Sequence, residues 1–542
     1  MTHPAATIPA PHNEPVRSYA PHTPERAALA AAVRALSGAP RPLPMRIAGR
    51  DHAGKGEEFT VRAPHDHSLE LGRGRHAEPT DVRAAIDAAL AAAPAWRELA
   101  LAERAAVFLR AAELLAGPWR DRLNAATILG QSKSAHQAEI DAACEMVDFW
   151  RFNPHFAQRL GELLQPDSAP GAWNAMELRP LEGFVLAVTP FNFTAIGGNL
   201  PAAPALMGCT VVWKPSHTQQ LAASLTLEVL EAAGLPPGVI NMVTGHGAGV
   251  SEVALPHPEL AGVHFTGSTA TFHTLWRQVA DNIDKYRSYP RLVGETGGKD
   301  FVVAHDSADA DTLLVALLRG AFEYQGQKCS AASRAYVPAQ LWARLREPLA
   351  EATEAITVGD VGDLSTFCGA VIDERAFRRH EEVLSAARSD PHLRLVAGGE
   401  CDDSRGWFVR PTIYETDDPG HPLMERELFG PILTVHPYTG SYDDALTLVD
   451  STSPYALTGA VFATDREAVA HALQRLRFAA GNVYVNDKPT GAVVGQQPFG
   501  GGRASGTNDK AGSPANLLRW VSPRTLKETL APPVDWRYPH MG

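Results

Sequence analysis

Two residues in this chain have the chemistry of a covalent catalyst. Cys329 lies in Phe322-Glu-Tyr-Gln-Gly-Gln-Lys-Cys-Ser330, directly after a helical stretch and before the strand-like run 334–338. A cysteine at the start of an element, with Lys328 beside it, is set to hold a lowered pKa and act as a thiolate nucleophile. The alternative is a buried small hydrophobe, the commonest fate of a free cysteine. Glu295 lies in Leu292-Val-Gly-Glu-Thr-Gly-Gly-Lys299, with apolar residues before it and a Gly-Gly bend after it. A carboxylate held in such a pocket has a raised pKa, which suits a general base. The alternative is a solvated group at a strand end.

The elements around these residues form an alternating pattern. From about residue 183, short apolar runs alternate with amphipathic stretches: 183–189, 209–216, 221–234, 239–245, 262–268 and 269–283. This β-α-β-α rhythm predicts a parallel sheet covered on both faces, with ligands at the carboxyl ends of its strands. A second alternating block follows. Strands are expected at 301–305, 334–338, 369–374, 434–438, 459–464 and 481–486, and helices at 309–322, 339–355, 373–388 and 465–478. Residues 488–512 read as a glycine-rich loop. Earlier in the chain, 1–78 reads as irregular apart from a helix at 24–37. The stretch 80–116 reads as helical with Thr80 as a cap and an interruption at Pro94, and another helix spans roughly 134–164. Gly245-His-Gly-Ala-Gly-Val250 has two of the three glycines of a dinucleotide fingerprint and reads better as a strand-to-helix turn.

Composition removes several function classes. With 49 Lys plus Arg against 61 Asp plus Glu, the net charge is -12, which argues against a nucleic-acid binder. The five cysteines are scattered, without a C-x-x-C pair, so neither a disulfide framework nor a metal site is expected. Residues 183–213 carry no charge, but Pro190, Pro201, Pro204 and several glycines break the run, so no membrane span is expected. The first residues lack an apolar signal core and make a poor transit peptide, giving an expectation of a cytoplasmic protein.

The motifs gain force in combination. Thr189-Pro-Phe-Asn192, Trp213-Lys-Pro-Ser216, Phe265-Thr-Gly-Ser268, Gly294-Glu-Thr-Gly-Gly-Lys299, Gly326-Gln-Lys-Cys329, Glu427-Leu-Phe-Gly-Pro431 and Pro498-Phe-Gly-Gly501 occur in that order. The chain thereby closely resembles the aldehyde dehydrogenase superfamily. The stretches 191–208, 322–338 and 491–512 are similar to the branch that oxidises L-glutamate γ-semialdehyde, formed from Δ1-pyrroline-5-carboxylate, to glutamate in proline catabolism. The length suits the stand-alone form, without a fused proline dehydrogenase domain.

The resemblance implies roles. Cys329 would be the nucleophile, Glu295 the base that activates water, and Asn192, with the Cys329 N–H, the oxyanion donors. NAD would be held by Thr189, Lys214, Ser216, Gly267, Ser268 and the first helical residues Thr269, Ala270 and Thr271 at the adenosine and pyrophosphate end. Glu427 and Phe429 would fix the nicotinamide ribose and ring. Many NAD-selective relatives have Glu where this chain has His217, which leaves use of NADP open. Backbone N–H groups at Gly491 and Ala492, with the Ser330 hydroxyl, would hold the substrate α-carboxylate. Phe193 and Phe499 would sandwich its aliphatic chain, and Glu145 would lie near its ammonium.

The implied fold is α/β, with a Rossmann-like cofactor domain (1–160 and 182–297), an α/β catalytic domain (298–504) and an oligomerisation hairpin and tail (161–181 and 505–542). A homodimer is expected, with proline dehydrogenase as a pathway partner. Two rivals stand beside this reading: an aldehyde dehydrogenase for another ω-semialdehyde, and a non-catalytic structural protein on the same fold.

Overall fold

A computed structural model describes residues 7–542. Two seven-stranded sheets dominate it. In the first, strands run in the order Arg291–Glu295, Leu260–Thr266, Phe184–Val188, Thr210–Lys214, Ile240–Met242, Met45–Ile47, Arg50–His52. The first five are parallel; the last two add antiparallel at one edge. Thr210–Lys214 and Leu260–Thr266 are buried along their whole length, as expected for strands covered by helices on both faces. The uncharged run 183–213 therefore supplies two core strands and the buried helix Thr194–Leu206. Among the described residues no helix is long and apolar enough to cross a membrane.

The second sheet has the order Leu393–Ala397, Thr412–Thr416, Ile432–Tyr438, Ala332–Pro338, Asp300–Ala304, Thr458–Phe462, Asn482–Val485, parallel except for its first strand. Separate apolar clusters pack its two faces, one built on Val302, Leu317 and Leu433, the other on Phe301, Tyr336 and Val461. Residues 296–299 connect the sheets. The first sheet's strand ends at Glu295 and the second's begins at Asp300, so carboxyl ends of one sheet face amino ends of the other across a cleft.

Several expectations from sequence need correcting. The segment before residue 78 is not irregular: Glu58–Ala63 and Asp66–Arg75 form an antiparallel pair whose Phe59, Val61 and Ala63 alternate inward. The first long helix, Pro79–Glu98, is started not by Thr80 but by a reciprocal pairing of Glu78 and Asp81, and it runs through Pro94 before breaking at Leu99–Ala100. Residues 369–374 form no strand. Their N–H groups instead bond other segments: Ala370 to Ser132 Oγ (2.9 Å), Val371 to the Trp407 carbonyl (2.8 Å) and Ile372 to Gln327 Oε1 (2.9 Å). Helix 146–163 continues to Leu163, and strand Ala172–Pro180 pairs with the tail strand Val521–Thr529 over nine residue pairs rather than folding back on itself.

Candidate active site

A cavity of about 470 Å³ opens in the cleft. Its wall contains Cys329, Glu295, Ser330, Gly491, Ala492, Phe193, Phe499 and Glu145, residues from six separate stretches of chain.

The nucleophile loop is shaped by backbone strain. Tyr324, Gln325 and Gly326 all have positive φ (53°, 53° and 62°), a left-handed run that costs a non-glycine residue about 1–3 kcal/mol. Bonds from elsewhere hold it. Gln325 Nε2 donates to the carbonyls of Ser132 and Ala370, each at 2.8 Å. The residue at 326 has to be glycine, because a Cβ there would run into the Gly430 carbonyl. Asn192 Nδ2 donates to the Gln327 carbonyl at 3.0 Å, which fixes this asparagine to the loop that carries Cys329. One of its two amide hydrogens is spent there.

The electrostatics around Cys329 run opposite to the expectation from Lys328. Burial, then the carboxylates of Asp300, Glu427 and Glu295, push the thiol well above its ordinary pKa. The Lys328 ammonium is turned instead to Glu323 Oε2, 3.2 Å away. Glu295 ends its strand with Oε2 buried and, among the described residues, without a hydrogen-bond partner. Burial, then the charge of Asp509, raises its pKa well above the usual carboxylate value, while Lys510 opposes them. Phe499 and Ala511 bridge antiparallel, and Thr296 N–H donates to Ser505 O at 3.0 Å, so the glycine-rich loop is laid against the Glu295 strand. Both shifts favour the protonated forms, a thiol at Cys329 and a carboxylic acid at Glu295.

On the cavity wall, Ser330 Oγ and Thr490 Oγ1 share a hydrogen bond of 2.7 Å. Gly491 has φ +95°, a conformation that favours glycine, and turns the loop so that residues 490–494 line the cavity. Glu145 closes a π-helical segment, Glu139–Glu145, a helical irregularity common at functional sites. Burial and Asp141 raise its carboxyl to about 8, against Lys133 and Lys328.

Sequence reasoning missed the groups that hold this wall. Lys133 and Asp141 form a fully buried pair at 2.6 Å. The Asp141 carboxylate also accepts the N–H groups of Thr194 (2.9 Å) and Ala195 (2.8 Å), pinning the start of the helix that follows Asn192 and Phe193. The Lys133 ammonium lies over the Phe193 ring (4.2 Å) and the Tyr324 ring (4.5 Å), so one cation ties the two loops together. Eight residues separate the pair across a helix break, a spacing that carries no recognisable pattern.

The cofactor-side residues lie at the strand ends of the first sheet. Lys214 is 9% exposed, and among the described residues its ammonium has neither an ion pair nor a hydrogen bond. Burial lowers its pKa to about 8. A free ammonium at the tip of an otherwise buried side chain fits the ribose or phosphate oxygens of a dinucleotide. Ser216 Oγ bonds Thr218 Oγ1 (3.0 Å), and the Thr189 N–H is spent on the Lys214 carbonyl (3.1 Å), leaving the Thr189 carbonyl for a ligand. Gly267 and Ser268 precede helix Thr269–Asp281, where Ser268 caps the Thr271 N–H and Ala270 and Thr271 are exposed. This helix start suits a pyrophosphate. Thr269 differs: its hydroxyl accepts from Gly297 N–H (3.3 Å) and donates to Ala504 O (3.4 Å), so its side chain serves the protein. Glu427 accepts the Gly298 N–H at 2.9 Å, and burial lifts its pKa to about 7. Phe429, at φ +58°, sets its ring edge-on to Phe191. These residues fit NAD.

The sequence profile of the aldehyde dehydrogenase family matches residues 52–526, and the chain belongs to that family. A mitochondrial Δ1-pyrroline-5-carboxylate dehydrogenase from Bos taurus is 50% identical over 532 residues, 98% of this chain and 94% of the relative. The crystal structure of the Δ-pyrroline-5-carboxylate dehydrogenase from Mycobacterium tuberculosis bound with NAD superposes with a TM-score of 0.97 at 57% identity, over 100% of both chains. Proline utilization A from Bdellovibrio bacteriovorus matches at 29% identity and a TM-score of 0.91, over 96% of this chain and 53% of that longer protein. The expected cytoplasmic location is overturned by the bovine relative, whose name places it in mitochondria.

Proposed function

We propose that the chain oxidises L-glutamate γ-semialdehyde, the open form of Δ1-pyrroline-5-carboxylate, to L-glutamate with NAD. The observation that carries this reading is one cavity that joins Cys329 and Glu295 to the Ser330, Gly491 and Ala492 loop. A thiol and a carboxyl group would serve any aldehyde. A set of uncharged donors in the same cavity selects an aldehyde that also carries a carboxylate, without offering a second nucleophilic amine.

Bound NAD, held by Lys214, Ser216, the helix start at Ser268 and the Glu427–Phe429 turn, supplies the hydride acceptor. Cys329 Sγ gives its proton to solvent water and adds to the aldehyde carbon. The resulting alkoxide is met by the Asn192 amide and the Cys329 N–H. Loss of hydride leaves a thioester on Cys329. Glu295, once ionised, takes a proton from water, whose oxygen attacks the thioester carbon; the thiol leaves and glutamate is released. Phe193 and Phe499 hold the chain of the substrate, and Glu145 faces its ammonium.

Two chains are proposed to pair through the arm formed by 172–180 and 521–529, which exposes Trp173, Leu526 and Leu530. Proline dehydrogenase is the proposed pathway partner. The domain division at residues 160, 182, 297 and 504 is part of the same reading.

The deciding measurement is steady-state NADH formation with Δ1-pyrroline-5-carboxylate, with semialdehydes of other lengths and with propanal, using NAD and then NADP. Higher kcat/KM for a different semialdehyde would overturn the substrate assignment. Cys329→Ala should lower turnover by roughly three orders of magnitude or more while retaining NAD binding by calorimetry; retained turnover would remove Cys329 from the mechanism.

A further inference from the structure

The N-terminal segment, which the sequence presents as irregular, forms part of the substrate cavity. Asn13 and Val16 line it, with Val16 half exposed at its mouth. The strap is tied down along its length: Ile8 N–H donates to Gln158 Oε1 (2.7 Å), Glu14 N–H to Asp148 Oδ1 (2.7 Å) and Arg17 N–H to Glu139 Oε1 (2.8 Å).

Asn13 does something different from these anchors. Its Nδ2 donates to Asp148 Oδ2 (2.8 Å) on the helix behind the cavity and to the Val494 carbonyl (2.8 Å) on the facing loop. Its Oδ1 accepts from Gln496 Nε2 (2.9 Å) on that same loop. One hydrogen and the oxygen of a single amide thus clamp residues 494–496 against the strap, while the other hydrogen ties it to Asp148 on the helix. The same loop turns at Gly491, and its Val493 N–H is bonded internally to Gln497 Oε1 (2.9 Å). A short loop fixed at 494 and 496 has little freedom left at 491 and 492.

We propose that Asn13 is a positioning residue for substrate selection: through Val494 and Gln496 it holds the 490–497 loop so that the Gly491 and Ala492 N–H groups stay aimed at the substrate carboxylate. Asparagine suits this place because it needs two donors and an acceptor at once. Aspartate would lose both donors and face Asp148 with a like charge. The inference rests on the substrate reading above, so its test has one arm that does not depend on activity.

Asn13→Ala should raise hydrogen exchange at the amides of 490–497 and leave exchange in the two large sheets unchanged. With the semialdehyde, KM should rise about tenfold with kcat little altered, since a positioning bond and not the reacting groups has been lost. Propanal, which has no carboxylate, should be turned over as before. Gln158→Ala loosens the strap at Ile8, away from the loop, and should change neither exchange at 490–497 nor the ratio of the two substrates. Gln496→Met removes the bond from the other side and should reproduce Asn13→Ala in milder form. Unchanged exchange at 490–497 in Asn13→Ala overturns the proposal, as does an equal loss for semialdehyde and propanal, or an equal effect from Gln158→Ala. If wild-type protein fails to oxidise the semialdehyde, the substrate reading falls; the exchange data then still decide whether Asn13 holds the loop.

Discussion

In the proposed mechanism Glu295 and Cys329 ionise before they act, and burial opposes both ionisations. The sign follows from the cause: burial and neighbouring carboxylates favour the neutral forms, so more alkaline solution is needed to remove each proton. kcat/KM should therefore climb with pH through neutrality rather than peak on the acid side. Asp509→Asn removes the charge that ranks second in raising Glu295. It should shift the rising limb for thioester hydrolysis to lower pH, seen in a pH profile of steady-state turnover; a shift to higher pH would contradict the arrangement. Glu295→Gln should spare the first half of the reaction and stall the second. A stopped-flow burst of NADH followed by turnover slowed roughly a hundredfold or more is the expected trace, on the usual scale for general base catalysis. These two residues stood out because each lies in a glycine-containing motif. Their ionisation was not: Lys328 is adjacent in sequence yet faces Glu323, and the carboxylates that govern Cys329 are 29, 34 and 98 positions away in the chain, at Asp300, Glu295 and Glu427.

At the scale of elements, the parallel strands could be read from their continuous apolar runs, and the helices 24–37, 310–322 and 339–354 from their periodicity. The pair 58–63 and 66–75 carried a usable signal, the alternation of Phe59, Val61 and Ala63, hidden among His, Gly and Pro neighbours. The left-handed turn at Tyr324 and Gln325 carried none, because neither side chain advertises a positive φ. The same is true of the Lys133–Asp141 pair, whose partners are the N–H groups of a helix start more than fifty residues on. Its loss should be costly. Lys133→Met leaves the Asp141 charge buried and uncoupled, and breaking such a pair on one side destabilises by about 3–5 kcal/mol. Urea unfolding checks the figure, and a cost under about 1 kcal/mol would mean that the cation is dispensable.

For the whole molecule, the exposed arm is the feature that a single chain does not explain. Strands 172–180 and 521–529 satisfy each other's backbone groups yet leave Trp173 62% and Leu526 43% exposed. Isolated two-stranded ribbons are marginal in water, and apolar side chains on one are best explained by a surface that covers them. Leu526→Glu should shift the protein toward monomer in sedimentation velocity, with the melting of the sheets little changed. A wild-type protein that sediments as a monomer at micromolar concentration would refute the pairing.

The bond between Asn13 and Gln496 spans 483 positions of sequence. At a synthesis rate of about 5–20 residues per second, its two halves emerge roughly 25–100 s apart. Through that interval the strap has nearer partners, among them Arg120, whose NH1 meets Glu14 Oε1 at 2.5 Å, and Arg151, whose NH1 meets Glu14 Oε2 at 2.7 Å. Both belong to the first third of the chain. A nascent protein can thus park its N-terminus on its own early helices and keep one wall of the cavity ready, while the loop it will clamp has not yet been translated. The cavity cannot be completed until 490–499 have been made, so a ribosome stalled before residue 490 carries Cys329 and Glu295 without the loop that closes the wall around them.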